Sequence, residues 1–122
     1  MSVLIVEDSS IMRKQIAKIA QASGLEVFEA GNGAEALGVL RKHATDIRLV
    51  IMDWNMPVMD GYQTLSRIRA RDDYKHIPVL MATADGVQED VVKAIKAGAN
   101  GYLIKPFTPE SLTAKIGELL NL

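Results

Sequence analysis

Residues 49–61 read LVIMDWNMPVMDG. Leu49, Val50, Ile51 and Met52 form an unbroken apolar run, the pattern of a strand buried on both faces. Strands covered on both faces belong in parallel sheets, because the crossover helices that join them also cover them. Asp53 closes the run just where the chain leaves the sheet. A lone carboxylate is costly to bury there, so Asp53 needs a partner or a chemical purpose.

Working outward, short apolar runs alternate with longer helical patterns. Val3 to Val6 is the first strand. Met12, Ile16, Ile19 and Ala20 then recur at helical spacing until Gly24 ends that helix. Leu25 to Ala30 is a shorter, more polar strand suited to a sheet edge. Gly33 to His43 reads as a helix with Ala36, Leu37 and Leu40 inside, and its last residues put cations at the negative helix pole. After the strand from Leu49 to Asp53, a loop with Pro57 and Gly61 leads to a helix bearing Tyr62, Leu65 and Ile68. Val79 to Thr83 is the fourth strand, Gln88 to Ala97 a helix stopped by Gly98, and Tyr102 to Lys105 the fifth strand. Thr108 caps the last helix, with Pro109 at its first position and Glu110 in its first turn. Leu112, Ile116, Leu119 and Leu120 are its apolar stripe.

Five strands and five helices in strict alternation imply α/β architecture with helices on both faces of a parallel sheet. A closed eight-stranded barrel needs at least about 200 residues, and this chain has 122. An open doubly wound sheet of the flavodoxin-like (βα)5 kind is expected, with strand order 2-1-3-4-5. Residues 1–122 read as a single domain with no output domain attached. The sequence has no cysteine, which leaves no disulfide, thiolate metal site or thiol nucleophile. No apolar run approaches the roughly 18 residues of a membrane helix. The net charge of −1 carries no footprint for nucleic acid. A cytoplasmic monomer, without membrane or nucleic-acid partners, is the expectation.

In a parallel sheet all the strand ends lie along one edge. Glu7 and Asp8 follow the first strand, Asp53 the third, Thr83 ends the fourth and Lys105 the fifth. Ligands of open α/β sheets bind outside those ends, where strand order reverses. Three carboxylates repel one another, and Lys105 supplies a single compensating charge. A hard divalent ion such as Mg2+ suits the remainder, since it takes oxygen ligands from one or two carboxylates and a phosphate. Asp53 then has the makings of a nucleophile forming an aspartyl phosphate, with Lys105 and the Thr83 hydroxyl holding the phosphoryl oxygens.

These residues, in this order, closely resemble the receiver domain of bacterial two-component response regulators over the whole chain. The likeness rests on VEDS after the first strand, DWNMPVMDG after the third, ATAD after the fourth and Lys105-Pro106-Phe107. It implies that Asp53 is the phosphoacceptor and that Glu7, Asp8, Asp53 and the backbone carbonyl of Asn55 hold Mg2+, with Glu7 acting through water. It implies further that Thr83, Ala84 and Lys105 bind the phosphoryl group, that the bond before Pro106 is cis, and that Thr83 and Tyr102 form a switch pair. A histidine kinase would be the donor. DWNMP, Ala84 and the end of the chain after the fifth helix are most similar to the stand-alone chemotaxis regulators, whose downstream partner is the flagellar motor switch. Glu7 stands where the best-known members carry aspartate, and Asp85-Gly86-Val87 departs from them.

Other readings of the same residues fare less well. A haloacid-dehalogenase-type phosphatase places a second acid two residues after its aspartate to protonate the leaving group; Asn55 cannot do so. A flavin carrier on this fold wants a phosphate loop, where Glu7 and Asp8 would repel the ligand. Trp54 reads as a partly exposed neighbour of the site, and His43 and His76 as surface residues. Met12, Met52, Met56, Met59 and Met81 read as gap-filling core or loop anchors. Arg67, Arg69 and Arg71, followed at once by Asp72 and Asp73, read as a solvated helix end.

Overall fold

A computed structural model describes residues 1–122. Strands β1 (Ser2–Val6), β2 (Glu26–Ala30), β3 (Ile47–Met52), β4 (Val79–Thr83) and β5 (Gly101–Ile104) alternate with five helices. These are α1 (Ser10–Ala22), α2 (Gly33–His43), α3 (Gly61–Ala70), α4 (Gln88–Lys96) and α5 (Pro109–Leu120). All strand pairs are parallel, in the order β2-β1-β3-β4-β5. The expected fold is the observed one. β3 begins at Ile47, two residues before the apolar run, because exposed Arg48 lies within the strand. β5 stops at Ile104, which leaves Lys105 just beyond the sheet.

Side-chain alternation divides the core in two. Leu4 and Val6, Val50 and Met52, and Val79 and Met81 face one side, where Ala36 and Leu40 of α2, Leu65 and Ile68 of α3 and Ala94 of α4 cover them. Val3 and Ile5, Leu49 and Ile51, and Leu80 and Ala82 face the other, under Ile16, Ala17 and Ala20 of α1 and Leu112 and Ile116 of α5. The central strands therefore read as continuous apolar runs because each of their faces carries helices. α4 is the lightly seated exception among the helices: Ala94 is its one fully buried residue.

Each helix start is written in side-chain chemistry, except that of α4. Ser9, Asn32, Asp60 and Thr108 accept hydrogen bonds from the amides of Met12, Glu35, Gln63 and Ser111. Val87 precedes α4 and offers no such bond. Gly24 and Gly98 adopt left-handed φ of 85° and 109° after α1 and α4, where a side chain would be strained.

Three expectations about single residues change. Trp54 is 7% exposed and belongs to the core, because α3 folds back and sets Tyr62 against it at 5.8 Å between ring centroids. His43 is half-buried and stacks on Phe28 of β2 at 4.4 Å, so its ring packs rather than floats. Arg69 turns inward: its guanidinium donates to the carbonyls of Gly98, Lys75 and Ile77 and to Asn100 Oδ1, clasping the ends of α3 and α4 together. Met52 and Met81 are fully buried, whereas Met12, Met56 and Met59 are half-buried at the margins.

Candidate functional site

The ladder delivers its acids in register. Val6 pairs with both Ala30 and Met52, and the next amides continue the pattern. Glu7 N–H donates to Ala30 O and Asp53 N–H to Val6 O, each at 3.0 Å. Glu7 and Asp53 thus leave adjacent central strands side by side, at the point where the chain order of the sheet reverses. Asp8 completes the group, and the carboxylate oxygens of Glu7, Asp8 and Asp53 lie within 4.8 Å of one another.

Burial and charge decide what this group can hold. Glu7 is 2% exposed and Asp53 9%, whereas Asp8 is exposed. Lys105 N–H donates to Thr83 O at 2.8 Å, which places the lysine beside the cluster. Its ammonium bonds Glu7 Oε1 and lies 3.4 Å from Asp53 Oδ2. The other oxygens take backbone donors: Glu7 Oε2 accepts from Ser9 N–H at 3.1 Å, and Asp53 Oδ1 from Trp54 N–H at 2.7 Å. Burial raises the Glu7 pKa; the bond from Lys105 opposes that rise, and the neighbouring Asp53 charge adds to it. One ammonium among three carboxylates leaves an excess of negative charge aimed at the opening. Oxygen donors of that charge fit a hard divalent cation.

The flanking strands place the remaining candidates. Thr83 is fully buried at the end of β4, and its Oγ1 accepts from Asp85 N–H at 3.2 Å. Ala84 follows it and is exposed, as is Asn55 on the loop beyond Asp53. Asn55 makes no hydrogen bond to the cluster in this arrangement. Tyr102 on β5 is half-buried, and its hydroxyl donates to the Asp85 carbonyl at 2.6 Å. Burial, then the charges of Asp85, Asp90 and Asp53, push its pKa up to about 12. The Lys105–Pro106 bond is cis, as the resemblance implied.

Sequence reading missed the residues that brace the cluster from outside. Arg13 on α1 donates to Glu7 O at 2.7 Å and pairs with Glu29 of β2 at 2.9 Å. Lys14 and Arg13 together hold the Glu29 carboxyl below its ordinary range, with the Lys14 bond the larger cause. Lys93 of α4 sits 4.0 Å above the Tyr62 ring, which in turn packs on Trp54. The only advance signal for Arg13 was its position one turn after the acidic pair.

Comparison with known proteins agrees with this geometry. The model of the response regulator receiver domain family matches residues 3–117. The chain belongs to that family. As a receiver it is a phosphorylation-driven signalling switch, a phosphoacceptor and not an enzyme working through successive substrates. The "Chemotaxis protein CheY homolog" of Campylobacter jejuni is 40% identical over 99% of this chain and 93% of its own. The solved structure of Vibrio cholerae chemotaxis protein CheY4 superposes with a TM-score of 0.90, at 36% identity over 98% of each chain. The receiver domain of the Pseudomonas aeruginosa sensor histidine kinase PA1611 has a TM-score of 0.89 and 27% identity, over 99% of this chain and 98% of its own; that structure has a magnesium ion coordinated in its active-site cleft.

Proposed function

We propose that this receiver accepts a phosphoryl group on Asp53 from a histidine kinase and that modification alters the surface it presents to a downstream protein. The bridge of Lys105 between Glu7 and Asp53 carries the reading. It joins Asp53, Glu7 and Lys105 in one hydrogen-bonded group, which supports their roles as nucleophile, metal-binding acid and phosphoryl-binding ammonium. Glu7, Asp8, Asp53 and the Asn55 carbonyl are the residues for Mg2+. When bound, Mg2+ supplies positive charge against which phosphoryl oxygens can settle.

Asp53 contributes a carboxylate oxygen, which forms the new bond to phosphorus as the bond from phosphorus to the donor imidazole nitrogen breaks. The Trp54 amide fixes the orientation of that carboxylate before any donor arrives. Lys105, the Thr83 hydroxyl and the Ala84 backbone amide receive the phosphoryl oxygens, the electrostatic work on which this chemistry rests. Thr83 must give up its bond from Asp85 N–H or share it, and Asp85 also holds Tyr102. Thr83 and Tyr102 are therefore the switch pair, coupled through one loop residue, and phosphorylation shifts the population between their arrangements.

Similarity to chemotaxis proteins over nearly the full chain supports a cytoplasmic monomer that signals from a chemotaxis kinase toward the flagellar motor switch. Trp54, the only tryptophan, reports on the site from the residue after the phosphoacceptor. Its fluorescence should change on titration with Mg2+ and again, saturably, with beryllofluoride, a mimic of the aspartyl phosphate. Both responses should be lost or displaced to much higher concentration in Asp53→Asn. An unchanged beryllofluoride response in that variant refutes the assignment of Asp53.

A further inference from the structure

At the opposite end of the sheet from the acidic cluster, a cavity of about 720 Å³ opens between the end of α2, the start of β3, the segment after α3 and the end of α5. Its size lies in the range of roughly 300–1,000 Å³ typical of small-molecule sites. Half of its 16 lining residues are hydrophobic: Met1, Ala44, Leu119 and Leu120 present accessible apolar surface, with Leu40, Ile47, Tyr74 and Ile77 buried beneath. The rest are dominated by cations: Arg41, Lys42, Arg48 and Arg71, with His76 beside them. A smaller cavity of about 280 Å³ shares Arg41, Arg71 and Tyr74 with it and adds Arg67. The two form one trough with an apolar floor.

The charge here exceeds what the fold requires. Arg41, Lys42, Arg48 and Arg67 have no carboxylate within ion-pair distance, and Arg71 reaches the single lining acid, Asp73, only at 3.6 Å. Helix ends explain part of the pattern, since α2, α3 and α5 each finish here with roughly half a negative charge. Those ends and Asp73 together still leave roughly two positive charges uncompensated across the trough. Arg48 sits on a strand, has no helix pole to answer and makes no ion pair, although Asp46 and Glu26 line the adjoining cavity on its other side. The surplus stands on a chain whose net charge is −1.

We infer that this trough is a second ligand site, separate from the phosphorylation site, for an organic polyanion with a flat body, the chemistry of a nucleoside polyphosphate. The guanidinium forks of Arg41, Arg48 and Arg71 suit phosphate oxygens, because they offer paired donors in a plane. The apolar floor suits the body of such a ligand better than free phosphate.

The test is titration of the isotopically labelled receiver with ATP at about 0.15 M salt, where weak surface electrostatics are screened. EDTA keeps metal out of the acidic cluster. Amide signals from residues 41–48 and 71–78 should shift saturably with a Kd below about 1 mM, while those of Glu7, Asp8, Asp53 and Lys105 stay put. The double variant Arg48→Gln, Arg71→Gln alters two exposed side chains and should weaken binding about tenfold or more; Lys14→Gln, on another face, should leave it unchanged. Inorganic pyrophosphate should bind several-fold more weakly than ATP. Shifts that fail to saturate, or that survive the double variant, overturn the site. Equal affinity for pyrophosphate overturns the nucleoside assignment, and tighter binding of single-stranded DNA at the same residues replaces the small ligand with a nucleic acid.

Discussion

Replacing Gly61 with alanine should damage the protein where the same change at Gly117 should help it. Gly61 opens α3, and its amide donates to Trp54 O at 2.8 Å. A methyl group on its α-carbon would sit 2.4 Å from the Asp53 carbonyl oxygen, 2.8 Å from Trp54 Cα and 3.0 Å from the Met81 methyl. Carbon and oxygen normally approach no closer than about 3.3 Å, so something must move by about 1 Å. Two of the three neighbours are backbone and cannot swing away. Overpacking of this kind costs about 1–3 kcal/mol, and alanine recovers about 0.5–1 kcal/mol of backbone entropy. With both of the closest contacts on backbone atoms the cost lies in the upper part of that range, about 2–3 kcal/mol, and the net loss is about 1–2.5 kcal/mol. Gly117 lies inside α5 with nothing within 4 Å of the added methyl, so only the gain applies. A domain of this length shifts by about 4 °C per kcal/mol. Thermal melts followed by circular dichroism should therefore show Gly61→Ala down by about 4–10 °C and Gly117→Ala up by about 2–4 °C. A Gly61→Ala protein as stable as its parent would refute the claim that close packing on the strand that ends at Asp53 dictates this glycine.

Arg69→Met removes five hydrogen bonds from α3 to the two loops it clasps and should cost roughly 2–3 kcal/mol in urea melts. Arg69→Lys should recover little of that, because an ammonium cannot span the same acceptors. Tyr102, ordinarily titrating at 10.0, is raised to about 12, so the folded state holds its proton more tightly than the unfolded chain does. That contribution to stability is complete below pH 10 and disappears as pH rises toward 12; Tyr102→Phe should flatten the corresponding part of the stability profile. Lys105→Met takes a positive charge out of the acidic cluster, so Mg2+, followed by Trp54 fluorescence or calorimetry, should bind roughly tenfold more tightly. The same variant should lose affinity for beryllofluoride if, as proposed, the Lys105 ammonium receives the phosphoryl group.

Fold and chemistry were legible where they depend on local periodicity and on strand ends. The run Leu49–Met52 announced a central strand, and four further runs separated by helical patterns left one architecture. Glu7, Asp8, Asp53, Thr83 and Lys105 could be gathered on paper because parallel strands present all their carboxyl ends on one edge. What escaped depends on contacts between elements distant in sequence. Arg69 reads as one of three arginines before an acidic pair, and only the approach of the segment around Gly98 and Asn100 turns it inward. Trp54 looked open to solvent because the fold-back of α3, which supplies Tyr62, has no signature near residue 54. His43 suited the helix pole, so nothing in its own neighbourhood announced the stack on Phe28.

The light seating of α4 has an energetic meaning beyond its place in the architecture. One fully buried alanine, the half-buried Val91 and Ala97, and a few clasps at its edges are what separation would forfeit, with no side-chain cap to lose at its first turn. The two hydrophobic layers around the central strands would survive it nearly whole. Local opening is cheapest where buried apolar contacts are fewest, so this helix can come away without the domain unfolding. Its detachment is a small sub-global event, set well below the free energy of complete melting. A partner that captures α4 in a new position has only that smaller gap to overcome.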